Sequence, residues 1–248
     1  DFGRLASAAS KRGGGAYADG GMTIRFSTLS GNTARSTGNA PYKGMGGGFM
    51  VEGASTIIGS TIEGNAADFG GGAVLQQYTS SDVFAVQEST ISGNSATRTG
   101  GIVVKGATTF RGSTIAFNCA MTTDGGKYAS GIGLNAPTAS TMSANGTLIS
   151  DNGLCAGAQA GNAYDVGGFG AVLSGSHNLV RSVPTTFSVP ADTLRTDPRL
   201  LPLADNGGPT RTHALGAGSP AIGAGKDDPN VGFDQRGDGP WIAGAMSD

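Results

Sequence analysis

One segment decides the fold of this chain: Ser89-Thr90-Ile91-Ser92-Gly93-Asn94-Ser95-Ala96, which recurs along the sequence with small changes. Each copy places an asparagine three residues after an apolar residue, as Asn94 follows Ile91. Self-similarity at intervals of 24 to 34 residues indicates stacked structural units. The other copies are Ser27–Ala34, Ser60–Ala67, Ser113–Ala120 and Thr147–Asn152, with asparagines Asn32, Asn65, Asn118 and Asn152.

A glycine cluster followed by a short apolar run precedes most copies, as in Gly71-Gly72-Ala73-Val74. Apolar runs of this length, bounded by turn residues and rich in β-branched side chains, predict strands. No window of 11 or more residues carries a sustained helical apolar period. The sequence therefore predicts an all-β solenoid of short parallel strands over residues 1–183.

Stacking of the repeats predicts two ladders of identical side chains. Ile62, Ile91 and Ile115 should lie on one another inside the solenoid, where burial stabilises each side chain by about 1.5–3 kcal/mol. The five repeat asparagines should form a buried amide ladder at a turn, and we expect them to adopt the left-handed backbone conformation there.

Composition excludes several classes of protein. Of 248 residues 45 are glycine and 14% are charged, and the net charge of −2 leaves no electrostatic footprint for nucleic acid. No apolar run approaches the roughly 20 residues that span a bilayer. Cys119 and Cys155 each follow a repeat asparagine, so stacking brings them within disulfide range. Two free thiols are the alternative, although the weakly charged composition favours an exported protein.

The paired signals resemble the repeats of polymorphic outer-membrane proteins and autotransporter-like passengers. Gly71-Gly72-Ala73-Val74 matches their GGA(I/L/V) motif, and Ile62 to Asn65 and Ile91 to Asn94 match FxxN with Ile in place of Phe. The resemblance covers roughly residues 13 to 180. It implies a right-handed parallel β-helix and an extracellular or bacterial cell-surface location.

The composition changes at Pro184, since eight of the ten prolines lie from there onward and the asparagine repeat stops. Asp197 to Gly237 resembles the C-terminal segment of bacterial surface β-helix proteins described as carrying a choice-of-anchor domain. A solenoid needs a cover for its last strand edges, and proline-rich irregular chain supplies one. We therefore expect residues 184–248 to form a cap on the last coil.

The candidate binding site is a column of polar residues at the ends of successive first strands. If the repeats are in register, the column forms one outward line that can hold a polysaccharide or a partner protein on a host or cell surface. A row of merely solvated side chains is the alternative. The column comprises Asp19, Glu52, Gln76, Lys105 and Asn135.

Catalysis has little support in the sequence, so we predict a non-catalytic adhesion or glycan-binding protein without a cofactor. The alternative is a polysaccharide lyase or glycoside hydrolase that acts on an acidic polysaccharide through Glu52, Asp82 and Lys105. His177 and His213 are predicted to be hydrogen-bonded structural residues. Acidic residues near the C-terminus can hold a structural Ca²⁺: Asp227, Asp228, Asp234 and Asp238.

Overall fold

The computed structural model describes residues 12–36, 44–122, 129–135, 141–158, 161–168, 172–225 and 233–237. Over these ranges the chain forms short β-strands joined by turns, and no α-helix occurs in them. Every pairing between two strands is parallel and joins equivalent segments of successive repeats. The predicted all-β parallel solenoid is therefore confirmed, and the right-handed winding stays a prediction.

Within the described ranges four sheets run along the solenoid, and the chain visits them in a fixed order. The first sheet contains β1 (Ala16–Asp19), β5 (Phe49–Glu52), β9 (Ala73–Gln76), β13 (Ile102–Lys105), β17 (Ile132–Leu134) and β21 (Val166–Gly168). The second contains β2 (Met22–Arg25), β6 (Ser55–Ile58), β10 (Val83–Gln87), β14 (Ala107–Arg111), β18 (Met142–Asn145) and β22 (Leu173–Ser176). The third contains β3 (Thr28–Ser30), β7 (Thr61–Glu63), β11 (Thr90–Ser92), β15 (Thr114–Ala116), β19 (Leu148–Ser150) and β23 (Leu179–Val180). The fourth contains β4 (Thr33–Ala34), β8 (Ala66–Phe69), β12 (Ser95–Arg98), β16 (Cys119–Ala120) and β20 (Gly153–Leu154).

The core fills the inside of the solenoid because alternate side chains of each strand point inward. In the third sheet Ile91 lies opposite Ile62 on one side and Ile115 on the other, and all three are fully buried. Phe84 and Phe110 of the second sheet are buried in the same cluster. The predicted aliphatic ladder is therefore present and forms part of one continuous core.

The amide ladder is also present, and it follows the third sheet. The Nδ2 of each asparagine donates to the Oδ1 of the next: 3.1 Å from Asn32 to Asn65, 2.9 Å from Asn65 to Asn94, 2.9 Å from Asn94 to Asn118, and 2.8 Å from Asn118 to Asn152. The same Oδ1 atoms accept backbone N–H groups from the preceding rung. Side-chain amides thus join five successive coils.

The left-handed backbone conformation, however, does not belong to the asparagines. It belongs to the residue before each of them, with φ between 56° and 66°: Gly31, Gly64, Gly93, Phe117 and Asp151. The expectation for the asparagines was wrong because their amides already bond to two rungs, so the sharp turn is made one residue earlier. Glycine accepts that conformation without steric cost, which explains the repeated Gly-Asn pair.

A carboxylate ends the amide ladder. Asp165 Oδ1 accepts both Nδ2 and the backbone N–H of Asn152 (2.8 and 3.0 Å), and its Oδ2 accepts the N–H and hydroxyl of Ser182. Burial raises the pKa of Asp165, while these four donors oppose that effect. The acid therefore replaces a sixth asparagine at the last rung.

A second polar ladder, which the sequence reasoning missed, lies at the corner between the second and third sheets. The backbone N–H of Ser27, Ser60 and Ser89 donates to the hydroxyl oxygen of the serine one coil further on, at 3.2 to 3.3 Å. The accepting hydroxyls, those of Ser60, Ser89 and Ser113, each also donate to the carbonyl two residues earlier. The signal was visible as the serine that begins four copies of the repeat: Ser27, Ser60, Ser89 and Ser113.

Cys119 and Cys155 form a disulfide between neighbouring coils, with their Cα atoms 4.9 Å apart. The free-thiol alternative is therefore excluded. Cys119 lies opposite Gly153, so its partner is two residues beyond the strictly equivalent position. The bond closes a sequence separation of 36 residues.

Replacing both cysteines by serine should lower the free energy of unfolding by about 3 kcal/mol, since the unfolded chain regains the conformational entropy that closing a loop of this length removes. Urea denaturation of the wild-type chain and the double variant under oxidising conditions measures the difference. Reductant should bring the wild-type chain to the stability of the variant and leave the variant unchanged. Equal stability of both oxidised chains would contradict the prediction.

The C-terminal residues contact several coils and not the last one alone. Ser188 and Leu194 bridge to Val172 and Leu179, and Phe187 closes the end of the core. Residues 210–213 and 233–235 lie instead against the second and third strands of the third sheet. The domain boundary at residue 184 stays a prediction.

Candidate functional site

The polar column lies at the ends of the strands of the first sheet. Asp19 is opposite Glu52, Glu52 opposite Gln76, and Gln76 opposite Lys105. The backbone N–H of Asn135 donates to Val104 O (2.9 Å), which continues the register for one more rung. The five side chains therefore lie on five successive coils. Asp19 and Lys105 are exposed, Gln76 and Asn135 are half-buried, and Glu52 is buried.

Glu52 is held by its neighbours. Its carboxylate accepts from Arg12 at 2.9 Å, from the hydroxyl of Tyr17 at 3.3 Å and from Gln76 Nε2 at 3.4 Å. The hydrogen bond to Tyr17, together with the charge of Glu52, raises the pKa of Arg12. The carboxylate is thus neutralised within the fold, which suits a positioning role better than proton transfer.

Asp82 organises the loop beside the column. Its Oδ2 accepts the backbone N–H groups of Tyr78 (2.8 Å) and Thr79 (2.7 Å), and these bonds lower the pKa of the carboxyl group. The N–H of Gln77 donates to Lys105 O at 2.7 Å, which fixes the start of this loop against the column. The loop therefore carries Tyr78, 77% exposed, directly after Gln77, which is bonded to the backbone of Lys105.

The catalytic alternative relies on Glu52, Asp82 and Lys105, and two of these three side chains are already hydrogen-bonded within the protein. The carboxylates of Glu52 and Asp82 both accept hydrogen bonds from the protein itself. Lys105 is exposed and makes no ion pair within the described ranges. Among the described residues, the column therefore offers an exposed cation, Lys105, for binding.

A serine–histidine pair occurs elsewhere, on the third sheet. His213 Nδ1 donates to Leu201 O (2.7 Å), so the neutral ring accepts from the hydroxyl of Ser92 at Nε2 (2.8 Å). Nucleophile and base have this relation in hydrolases. Here Ser92 is 3% and His213 2% exposed, so a substrate cannot reach them, and the pair joins two parts of the fold.

The predicted calcium residues receive little structural support. Asp227, Asp228 and Asp238 lie outside the described residues, and Asp234 binds Arg236 through two oxygens. Within the described ranges no group of three His, Cys, Asp or Glu side chains is placed to hold a metal. The other histidine, His177, is half-buried, with its ring Nδ1 3.7 Å from Asp192.

The fold defines the chain as a parallel β-solenoid, in which structural repeats build a core and leave long outer faces. Comparisons with protein-family models, curated proteins and solved structures return no match. None of the described segments is a helix long and apolar enough to cross a membrane. Function must therefore be argued from the outer faces themselves.

Proposed function

We propose that this chain is a non-catalytic, secreted or cell-surface β-helix protein that binds glycans along the polar column. The single observation that supports this is the exposed Tyr78 on the loop that follows Gln76 and that is hydrogen-bonded through Gln77 to the backbone of the exposed Lys105. An aromatic ring offers an apolar face and a polar tip, and amides donate and accept hydrogen bonds, which together suit a sugar.

Export is part of the proposal. A disulfide persists in oxidising surroundings and is rare in reducing ones, so the Cys119–Cys155 bond is compatible with a location outside the cytoplasm. The resemblance to autotransporter passengers and to anchor-bearing β-helix proteins points to a bacterial cell surface. A rigid solenoid with a long outer face is suited to adhesion there.

Affinity electrophoresis of the full chain tests glycan binding. We expect migration to be slowed in gels that contain at least one neutral or uronate-containing polysaccharide. Tyr78→Ala should weaken this binding about tenfold, since truncation of an aromatic anchor costs more than about 1 kcal/mol. Ile222→Ala, an exposed apolar residue of the C-terminal region, is the matched control and should bind normally.

Two results would count against the proposal. Normal migration in every gel leaves a structural spacer as the function of this chain. Equal retardation of the wild-type chain and Tyr78→Ala moves the site away from the column. The enzyme alternative is tested in the same samples: release of unsaturated uronate products, abolished by Lys105→Ala, would replace binding by lyase activity.

A further inference from the structure

The C-terminal part of the chain is bound to the outer face of the third sheet by specific side chains. We call residues 197–225 and 233–237 the strap. Gln235 accepts from Thr90 (2.7 Å) and donates to Thr61 (2.9 Å), which lie on neighbouring coils. Arg211 of the strap forms an ion pair with Glu63. The strap thus recognises side chains that the repeat places at regular intervals.

Two aromatic residues with unfavourable backbone conformations also face the strap. Phe26 and Phe117 have φ of 47° and 56°, a region that bulky residues rarely adopt. The ring of Phe26 lies 5.8 Å from that of Phe233, and the ring of Phe117 lies 5.0 Å from that of His213. Such strain persists where the surroundings hold it, and it often marks switch regions. Both strained sites here are contacts of the strap.

His213 is the titratable group at the centre of this contact. Both ring nitrogens are occupied, Nδ1 as donor to Leu201 O and Nε2 as acceptor from Ser92, so a second proton must displace the hydrogen that Ser92 donates. The ring is covered by Phe117 and is nearly inaccessible to water. A charge placed there would lose its hydration, which is costly.

The charged groups around His213 come from three elements of the solenoid and from the strap itself. Glu63 at the end of β7 and Asp151 after β19 both favour a protonated ring. Each of these carboxylates is already paired, Glu63 with Arg211 and Asp151 with Arg181. Burial outweighs them and lowers the pKa of His213 below its ordinary value.

We propose that the strap is a pH-sensitive clasp, in which protonation of His213 releases residues 199–216 from the third sheet. The docked ring binds its proton less readily than the released ring. The clasp is therefore fully closed above about pH 6.5, the ordinary pKa of histidine, and weakens as the pH falls towards the docked pKa. Opening exposes the outward side chains of Thr61, Glu63 and Ser92 as a second polar face.

Hydrogen exchange of the full chain between pH 7.5 and 5 tests the clasp. After correction for intrinsic exchange rates, protection of residues 199–216 should fall about tenfold for each pH unit below 6.5, the slope of one proton. Protection of β11 and β15 should stay constant. In His213→Gln, whose amide does not titrate, protection of the strap should not change with pH.

If the strap of His213→Gln stays undocked at every pH, a second measurement tests whether His213 controls docking. The chain has two histidines, so proton NMR of the wild type shows two sets of ring signals, and His177→Gln identifies the set that belongs to His213. His213 should titrate below pH 6.5. A His213 pKa at or above 6.5, or pH-independent protection in the wild-type strap, would overturn the proposal.

Discussion

Asn94→Ala should destabilise the chain by about 5 kcal/mol, more than any other single substitution considered. Asn94 is fully buried, and its side chain makes four hydrogen bonds of 2.9 Å, two of them to Asn65 and one each to Ile62 O and Asn118. Alanine leaves several of these partners buried and unpaired, and each unsatisfied group costs about 1–3 kcal/mol. Urea denaturation followed by circular dichroism measures the loss.

Asn32→Ala is the matched control, because Asn32 ends the same ladder. Among the residues that the structure describes, its side chain makes one hydrogen bond, to Asn65 Oδ1 at 3.1 Å, and Asn32 is half-buried. We expect a loss of about 1 kcal/mol there. If both substitutions cost the same, the ladder contributes through each asparagine separately and not through its buried, two-sided bonding.

The ladders and the parallel solenoid were predictable because stacking repeats the same environment. A coil can bury its apolar residue only against the next coil, so Ile62, Ile91 and Ile115 had to recur at equivalent positions. The amides of the asparagines recur for the same reason. The turn conformation was assigned wrongly because two roles, the left-handed residue and the bonded amide, fall on adjacent residues.

Contacts outside the repeat were not predictable. Asp165 follows Asn152 after 13 residues, a spacing unlike that of any other rung, so nothing in the sequence marks it as the last member of the amide ladder. The strap binds Thr61 through Arg211 O, 150 residues away, and such pairings leave no local pattern. The serine ladder is different, because its serines recur at the same position of the repeat and could have been predicted from the sequence.

The candidate site also has one feature that the repeat predicts and one that it does not. The register of the column followed from the repeat, since equivalent positions of stacked coils must align. The hydrogen-bond partners of Glu52 could not be predicted from the repeat, because Arg12 and Tyr17 lie on the preceding coil, 40 and 35 residues earlier. Those partners change the chemistry of the column, as they turn the carboxylate of Glu52 into a bound structural group and leave Asp19 and Lys105 as its exposed charges.

Ile91→Ala should cost about 4 kcal/mol of unfolding free energy, the second-largest effect. Ile91 is fully buried between Ile62 and Ile115, and its removal leaves a cavity that rigid rungs on both sides cannot fill. Buried isoleucine to alanine changes cost about 2–5 kcal/mol, with the higher values where the site cannot collapse. Parallel strands hydrogen-bonded on both edges belong to that class.

The control for Ile91 is Leu29→Ala, at the same position of the first coil. Leu29 is half-buried and has a ladder neighbour, Ile62, on one side within the described residues, so its loss should be about 1–2 kcal/mol. Chemical denaturation of both variants should also show whether the coils unfold together. If Ile91→Ala produces a second transition while Leu29→Ala does not, the solenoid behaves as weakly coupled coils, since repeat proteins can lose cooperativity at a damaged interface. A single transition with equal losses would instead show that burial, and not position in the stack, sets the cost.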